Sequence, residues 1–100
     1  MLTIQMIKKP SKGTIRLLQR KVYDQQVKTI LEKNQIDAVG LIQGQVAEII
    51  AAGNVAEKAA SVEIAEITGS CPQHMTVIGI FGETSAVAEA VKAVEMWIKQ

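Results

Sequence analysis

The stretch VEIAEITGSCPQHMTVIGIF, residues 62–81, decides the fold of this chain. Residues 62–67 and 75–81 are rich in β-branched side chains, and the glycine- and proline-containing turn 69–74 separates them. Two such runs around a turn predict a pair of strands joined as a hairpin. Residues 75–81 are apolar on both faces, which predicts a strand that is covered on both sides.

The turn also holds the cysteine and the histidine of the chain, Cys71 and His74, of which there is one each. Zinc sites need about four ligands, and iron-sulfur clusters need about four thiolates. One subunit cannot complete either site from this turn. A metal bound here would therefore have to be shared between subunits.

Working outward toward the N-terminus, residues 2–7 alternate apolar and polar side chains, with Leu2, Ile4 and Met6 on one face. This alternation predicts a half-buried strand. Residues 14–33 carry apolar side chains at roughly helical spacing and predict a helix interrupted near Asp24. The short apolar run 36–42, which ends at Gly44, predicts another strand and a tight turn.

The remaining segments predict helices that alternate with these strands. Residues 46–60 have helical spacing, and a final helix through residue 98 is expected to be capped by Thr84 or Ser85. The resulting order is strand, helix, strand, helix, strand, strand, helix. It predicts an α/β (α+β) sandwich, in which two helices pack on one antiparallel-rich sheet of four strands that includes the first strand.

Composition limits the kind of protein. One hundred residues with 48% apolar and 21% charged side chains suit one compact domain, 1–100. A net charge of +1 and three aromatic residues give no basis for nucleic-acid binding. Residues 1–10 show neither a signal peptide nor a membrane span, and one cysteine forms no internal disulfide, so we expect a cytoplasmic protein without a membrane partner.

The sequence lacks the common signatures of nucleotide binding and catalysis. No GxGxxG follows a strand, and no GxxxxGK occurs. A cysteine and a histidine three residues apart in one turn are not the dyad of a thiol hydrolase, whose histidine comes from elsewhere in the fold. We therefore expect no enzymatic activity and no catalytic residue.

Residues 36–98 resemble the bacterial microcompartment shell domain, the module that tiles the protein coat of bacterial metabolic organelles. Order and spacing carry this resemblance, not any single motif. The matching pieces are residues 38–42 (AVGLI), residues 57–62 (EKAASV), the Gly69-Ser70 turn followed by residues 75–77 (MTV), and Gly82 before the last helix.

The resemblance also implies a circular permutation. In the usual order of the family a strand follows the last helix and runs into a basic residue and proline. Here residues 2–10, LTIQMIKKP, look like that strand at the other end of the chain. Because domain termini often lie close together, such a rearrangement costs little. Residues 1–10 would be the permuted strand, 11–34 a connecting helical segment and 36–98 the body.

Membership of this family would make the chain a structural subunit of a microcompartment shell in the bacterial cytoplasm. The resemblance implies a flat homohexamer with a central pore that tiles with other shell proteins. The turn that lines the pore matches Gly69, Ser70, Cys71, Pro72, Gln73 and His74. The family lysine at the hexamer edge matches Lys58, with Lys9 as a looser match to its basic partner.

Certain members carry an iron-sulfur cluster in the pore, including a divergent type associated with glycyl-radical propanediol metabolism that this sequence resembles most. This implies a 4Fe-4S cluster held by Cys71 from several subunits, with His74 as a further candidate ligand. Pro72 restricts Cys71 to extended backbone, which suits a fixed ligand. Electron transfer, with an encapsulated or cytosolic redox enzyme as partner, and cluster storage both remain open.

Three alternatives compete with this hypothesis. Cys71 can be an inert turn residue, and His74 and Lys58 can be solvated, Lys58 complementing a helix dipole. The shell subunit can lack metal and pass small metabolites through its pore. The chain can also be a ferredoxin-like sensor of small molecules, which would form dimers or tetramers.

Overall fold

The computed structural model describes residues 2–33, 35–69 and 75–100. They form a flattened body of 37 × 32 × 20 Å. Within these ranges no helix has both the length and the apolar character to cross a bilayer. The elements in chain order are β1 (Thr3–Lys8), α1 (Lys12–Lys21), α2 (Gln25–Glu32), β2 (Ala38–Gln45), α3 (Val46–Ala59), β3 (Glu63–Ile67), β4 (Met75–Gly82) and α4 (Thr84–Ile98).

The described strands form one antiparallel sheet in the order β1-β2-β4-β3. β3 and β4 pair from Glu63 opposite Phe81 to Ile67 opposite Val77, which confirms the predicted hairpin. β1 lies at the free edge of β2, so the four-stranded sheet contains the first strand as expected. The α+β class and the single domain are confirmed.

Helices α3 and α4 cover one face of the sheet. Leu2, Ile4 and Met6 pack toward this face, as their alternation predicted. The core between sheet and helices is apolar and built mainly from small and β-branched side chains. Its most deeply buried members are Ala38, Ile42, Ile49, Ala52, Ala56, Ile80, Val87, Ala90 and Val94.

Helices α1 and α2 cover the opposite face and form a second core. The sheet contributes residues of odd number to it, including Val39, Ala65 and Phe81. The helices contribute Ile15, Leu18, Val22, Val27 and Leu31. The prediction of two helices on the sheet is therefore wrong in number: residues 11–33 form a second helical layer, because the apolar stripe of each short helix needs a surface to cover.

The break between α1 and α2 falls where the sequence predicted an interruption. α1 ends at Lys21, and Val22 leaves the helix to form an antiparallel bridge with Ile67 of β3. The Asp24 carboxylate then accepts a hydrogen bond from the Val27 N–H at 3.1 Å and caps α2. The bridge from Val22 to Ile67 thus ends α1, and the cap by Asp24 starts α2.

Two local predictions are wrong. Gly44 does not end β2 in a turn: it pairs with Thr76 inside the ladder, and α3 begins directly at Val46. A side chain at Gly44 would collide with Leu2, so the glycine permits close packing instead. The N-cap of α4 is Glu83, without a side-chain capping bond, so Thr84 is the first helical residue and not the cap.

The ring of Phe81 lies against Gly79, two residues earlier on the same strand. A Cβ at Gly79 would lie 2.5 Å from Phe81 Cζ, so only glycine leaves room for the ring. Phe81 is fully buried in the second core. This explains why β4 is apolar on both faces: Ile78 and Ile80 lie in the first core, whereas Phe81 lies in the second.

Candidate functional site

The antiparallel register gives the sheet two distinct ends. At one end β1 finishes, β2 begins and β4 finishes, with Lys8 opposite Ala38 and Ala38 opposite Gly82. At the other end Gln45 lies opposite Met75, and the last residue of β3, Ile67, lies opposite Val77. The predicted pore turn, 69–74, leaves and re-enters the sheet at this second end, which we call the turn end.

Hydrogen bonds at the turn end attach β3 to α1. The N–H and the Oγ1 of Thr68 both donate to the Lys21 carbonyl oxygen, each at 2.7 Å. Across the hairpin, Thr76 Oγ1 donates to Glu66 Oε2 at 3.1 Å. Together with the bridge between Val22 and Ile67, these bonds fix both strands that carry the turn. The sequence offered no signal for the bond from Thr68 to Lys21, since the two residues are 47 positions apart.

The turn itself contains the predicted ligands. Ser70, Cys71, Pro72, Gln73 and His74 lie outside the described residues, so their predicted roles stay predictions. Gly69, the first residue of the turn, is exposed, and no atom of the described residues lies within 4 Å of the position that a Cβ would take there.

A groove of about 760 Å³ borders the turn. Val46 and Ile50 of α3 line it and expose 43% and 69% of their surfaces, an unusual exposure for large apolar side chains. Lys21, Glu66 and Thr68 line its rim. Sequence reasoning missed this groove, because helical spacing over residues 46–60 does not show which apolar side chains of the helix stay exposed.

The two predicted edge lysines lie at the opposite end of the sheet. Lys58 is exposed in the last turn of α3, where its ammonium complements the helix dipole. Lys9 is exposed directly after β1, has a positive φ of 50°, and donates its N–H to the Asp37 carbonyl oxygen at 2.7 Å. The fold thus separates the predicted pore turn from the predicted edge by the length of the strands.

The donor chemistry of the chain limits how a metal could be held. Across the described ranges, no three His, Cys, Asp or Glu side chains come together in a group that could bind a metal ion. Each described buried side chain of the core is apolar. The one thiol of the sequence is Cys71. An iron-sulfur cluster would fit only where the Cys71 side chains of several copies converge. Copies related by rotation about an axis at the turn end would provide such a set of thiolates.

The fold is a small α+β domain with helices on both faces of one sheet, and comparison with known proteins gives its family. Residues 38–99 match the BMC domain family. The chain therefore belongs to the BMC domain family, the shell proteins of bacterial microcompartments. No curated protein sequence matches it significantly.

Solved structures agree with this family. The ligand-free GrpU microcompartment shell protein from Pectobacterium wasabiae is 32% identical, with a TM-score of 0.68 and coverage of 93% of this chain and 99% of that chain. The ligand-free GrpU protein from Clostridiales bacterium 1_7_47FAA is 31% identical, with a TM-score of 0.66 and coverage of 98% and 99%.

A fused permuted hexameric shell protein from the RMM microcompartment shares the fold, with a TM-score of 0.70 at 17% identity. It is a longer chain: the match covers 97% of this chain and 45% of that one.

The family confirms several predictions. The chain is a microcompartment shell protein of the GrpU-like kind, located in the shell within the bacterial cytoplasm. It is a structural protein and not an enzyme, as its relatives are. Shell proteins of this family assemble into oligomers with one another, so the self-assembly expected from the sequence is confirmed in this general form.

Proposed function

We propose that the chain forms a cyclic homohexamer in the shell, with residues 69–74 of every copy around the central axis and Lys58 and Lys9 at the outer edge. The supporting observation is that the strand ends on either side of the turn lie at one end of the sheet, whereas the two lysines lie at the other. The thin dimension of the protomer, 20 Å, suits a flat tile. Gly69 is exposed, and among the described residues no atom lies within 4 Å of its Cβ position, which supports a turn at an opening.

We further propose that Cys71 thiolates from three or four copies hold a 4Fe-4S cluster at this axis. The cluster, when bound, supplies one-electron redox chemistry. The residues of the chain supply the rest: Pro72 restricts the backbone of Cys71, and the bonds from Thr68 to Lys21 fix the strand before the turn. His74 is the further candidate ligand. Six copies exceed the number of thiolates that one cluster takes, so one or more thiols would stay free.

The test is an oxygen-free preparation of the full chain, followed by a visible spectrum, an electron paramagnetic resonance spectrum and the native mass. We expect a brown protein with a mass of about 65 kDa, six times the 10.8 kDa of one chain. Cys71→Ser should be colourless with an unchanged native mass, because serine removes the thiolate and preserves the size of the side chain.

A matched variant, His74→Gln, separates the two candidate ligands. Retained absorption with a changed resonance signal indicates a histidine ligand, whereas an identical spectrum makes His74 a bystander. A colourless hexamer in the wild-type protein would favour a metal-free, metabolite-conducting pore. A brown Cys71→Ser hexamer would contradict the ligand assignment, and a dimer or tetramer would favour the sensor class.

We also propose that the chain is circularly permuted relative to the usual order of the family. Leu2, just before β1, lines a cavity of about 460 Å³ together with Ile98, the last residue of α4, and Gln100, so the two chain ends lie close together. The family match begins at β2 and ends with α4, which leaves β1 as the strand displaced to the front.

A relocated chain tests the permutation. We expect residues 36–100, joined by a short flexible linker to residues 2–33, to fold into the same hexamer, because the linker needs to span only the cavity that both ends line. Circular dichroism and native mass would check this. A matched control joins the same two pieces with a linker too short to reach. Aggregation of both chains alike would contradict the proposal.

A further inference from the structure

Helix α1 is strongly basic. Its ten residues include four cations and no carboxylate: Lys12, Arg16, Arg20 and Lys21. The two helices of this layer, α1 and α2, together carry five cations and one carboxylate, whereas α3 and α4 on the other face carry two cations and four carboxylates. The nearly neutral chain therefore presents faces of opposite sign.

The cations of α1 point away from the sheet. Ile15 and Leu18 bury the inner stripe of the helix, and all four cations are exposed. Leu17 lies among them with 60% of its surface exposed. Tyr23, just after the helix, is 72% exposed and has Lys28 Nζ at 5.9 Å from its ring centroid. Cations combined with exposed apolar groups are typical of a protein-binding surface more than of a merely solvated one.

This basic surface ends beside the turn. The carbonyl of Lys21, the last residue of α1, accepts both hydrogen bonds from Thr68, one residue before Gly69. Lys21 also lines the groove that borders the turn. In the proposed ring, six copies of this helix end would therefore surround the axis on one side of the tile. On the α3 side, the uncharged Gln43, Val46 and Ile50 line this groove together with the carboxylate of Glu66, so that side offers no basic surface.

We infer that the exposed face of α1, with Tyr23, is the docking surface for an acidic protein electron carrier that approaches the axis from the α1–α2 side. This inference rests on the proposed redox role of the axis. The Cys71 thiolates would hold the cluster, which would supply one-electron chemistry: a reduced carrier would give it one electron, with no bond formed and no proton moved. Complementary charge speeds such encounters and sets their orientation, and Leu17 and Tyr23 supply the apolar contacts.

A protein partner fits these residues better than the other polyanions. Single-stranded nucleic acid is bound on several stacking aromatic side chains, and this surface offers one, Tyr23. A membrane-binding helix buries a continuous apolar face, whereas the apolar face of α1 already packs on the sheet through Ile15 and Leu18. Charge with two isolated apolar groups is the pattern of a small, transient protein contact.

Binding of a purified, oxidised bacterial ferredoxin of net negative charge to the wild-type assembly tests the inference. The variant Arg16→Gln/Arg20→Gln/Lys21→Gln should weaken the apparent Kd at least about tenfold, and raising the salt concentration should weaken wild-type binding in the same way. The control Lys8→Gln/Lys92→Gln/Lys99→Gln removes the same charge from exposed positions outside the α1–α2 layer and should bind like wild type. Native mass confirms that both variants assemble.

The outcomes separate this inference from the proposed function. Equal loss of binding in both variants, or none in either, overturns the docking surface even if the protein is brown. If the protein is colourless and ferredoxin binding is still lost in the α1 variant, the docking surface is supported and the redox role of the axis is refuted. Tighter binding of a single-stranded RNA or of anionic phosphatidylserine vesicles than of ferredoxin, lost in the same α1 variant, overturns the choice of partner.

Discussion

Replacing Phe81 with alanine should lower the free energy of unfolding by about 3–5 kcal/mol. The ring is fully buried and lies at the centre of the second core, with Val22, Leu31 and Val39 among the fully or almost fully buried members of that core. Gly79 has no side chain that could move into the space. Since the lining is apolar and β-branched, the space would stay largely empty, and the contacts of its walls would be lost.

Urea denaturation at a fixed protein concentration measures this effect, because assembly makes apparent stability depend on concentration. The matched control is Tyr23→Ala, which removes an aromatic ring that is 72% exposed and should change stability by less than about 0.5 kcal/mol. Equal effects in the two variants would show that the second core does not hold the fold together as described.

Removing α1 and α2 should make the chain aggregate. Lys8 pairs with Ala38, so the ends of β1 and β2 are adjacent. A four-residue turn that contains Asn-Gly could therefore replace residues 10–36 and join β1 directly to β2 as a hairpin. The sheet would still form, yet the face that carries Val39, Ala65 and Phe81 would lose its cover. An apolar sheet face of this size in water favours association with other copies.

Size-exclusion chromatography and binding of a hydrophobic dye measure this result. The control keeps both helices and changes only their exposed apolar residues, Leu17→Ser and Tyr23→Ser; it should stay soluble and assemble like wild type. A soluble, dye-negative hairpin variant would mean that the second helical layer is dispensable for folding.

The strands were predictable because their signal is local. Alternation identified β1, and the paired β-branched runs around a turn identified β3 and β4 within a residue of their observed bounds. Because β4 is apolar on both faces, the sequence also predicted that this strand is covered on both sides. The pattern did not show which helices cover the second face of the sheet. An amphipathic stripe shows that one side of a helix is buried, but it does not show which surface that side packs against.

The errors and omissions have a common physical origin in contacts between distant residues. Gly44 is a turn-former by preference, but its pairing with Thr76 and the packing of Leu2 keep it in a strand. The attachment of Thr68 to Lys21 spans 47 positions and leaves no trace in local composition. For the candidate site, the sequence supplied Cys71, while the basic neighbourhood of the turn emerged only from the fold.

The opposite signs of the two helical layers have a consequence for the proposed ring as a whole. Rotation about an axis leaves the component of a dipole along that axis unchanged, so the contributions of six protomers along the axis add, while the in-plane components cancel. Each tile would then be positive on its α1–α2 face and negative on its α3–α4 face. In a closed shell built from such tiles, a uniform orientation would give the lumen and the exterior different surface potentials, and so different local concentrations of small ions.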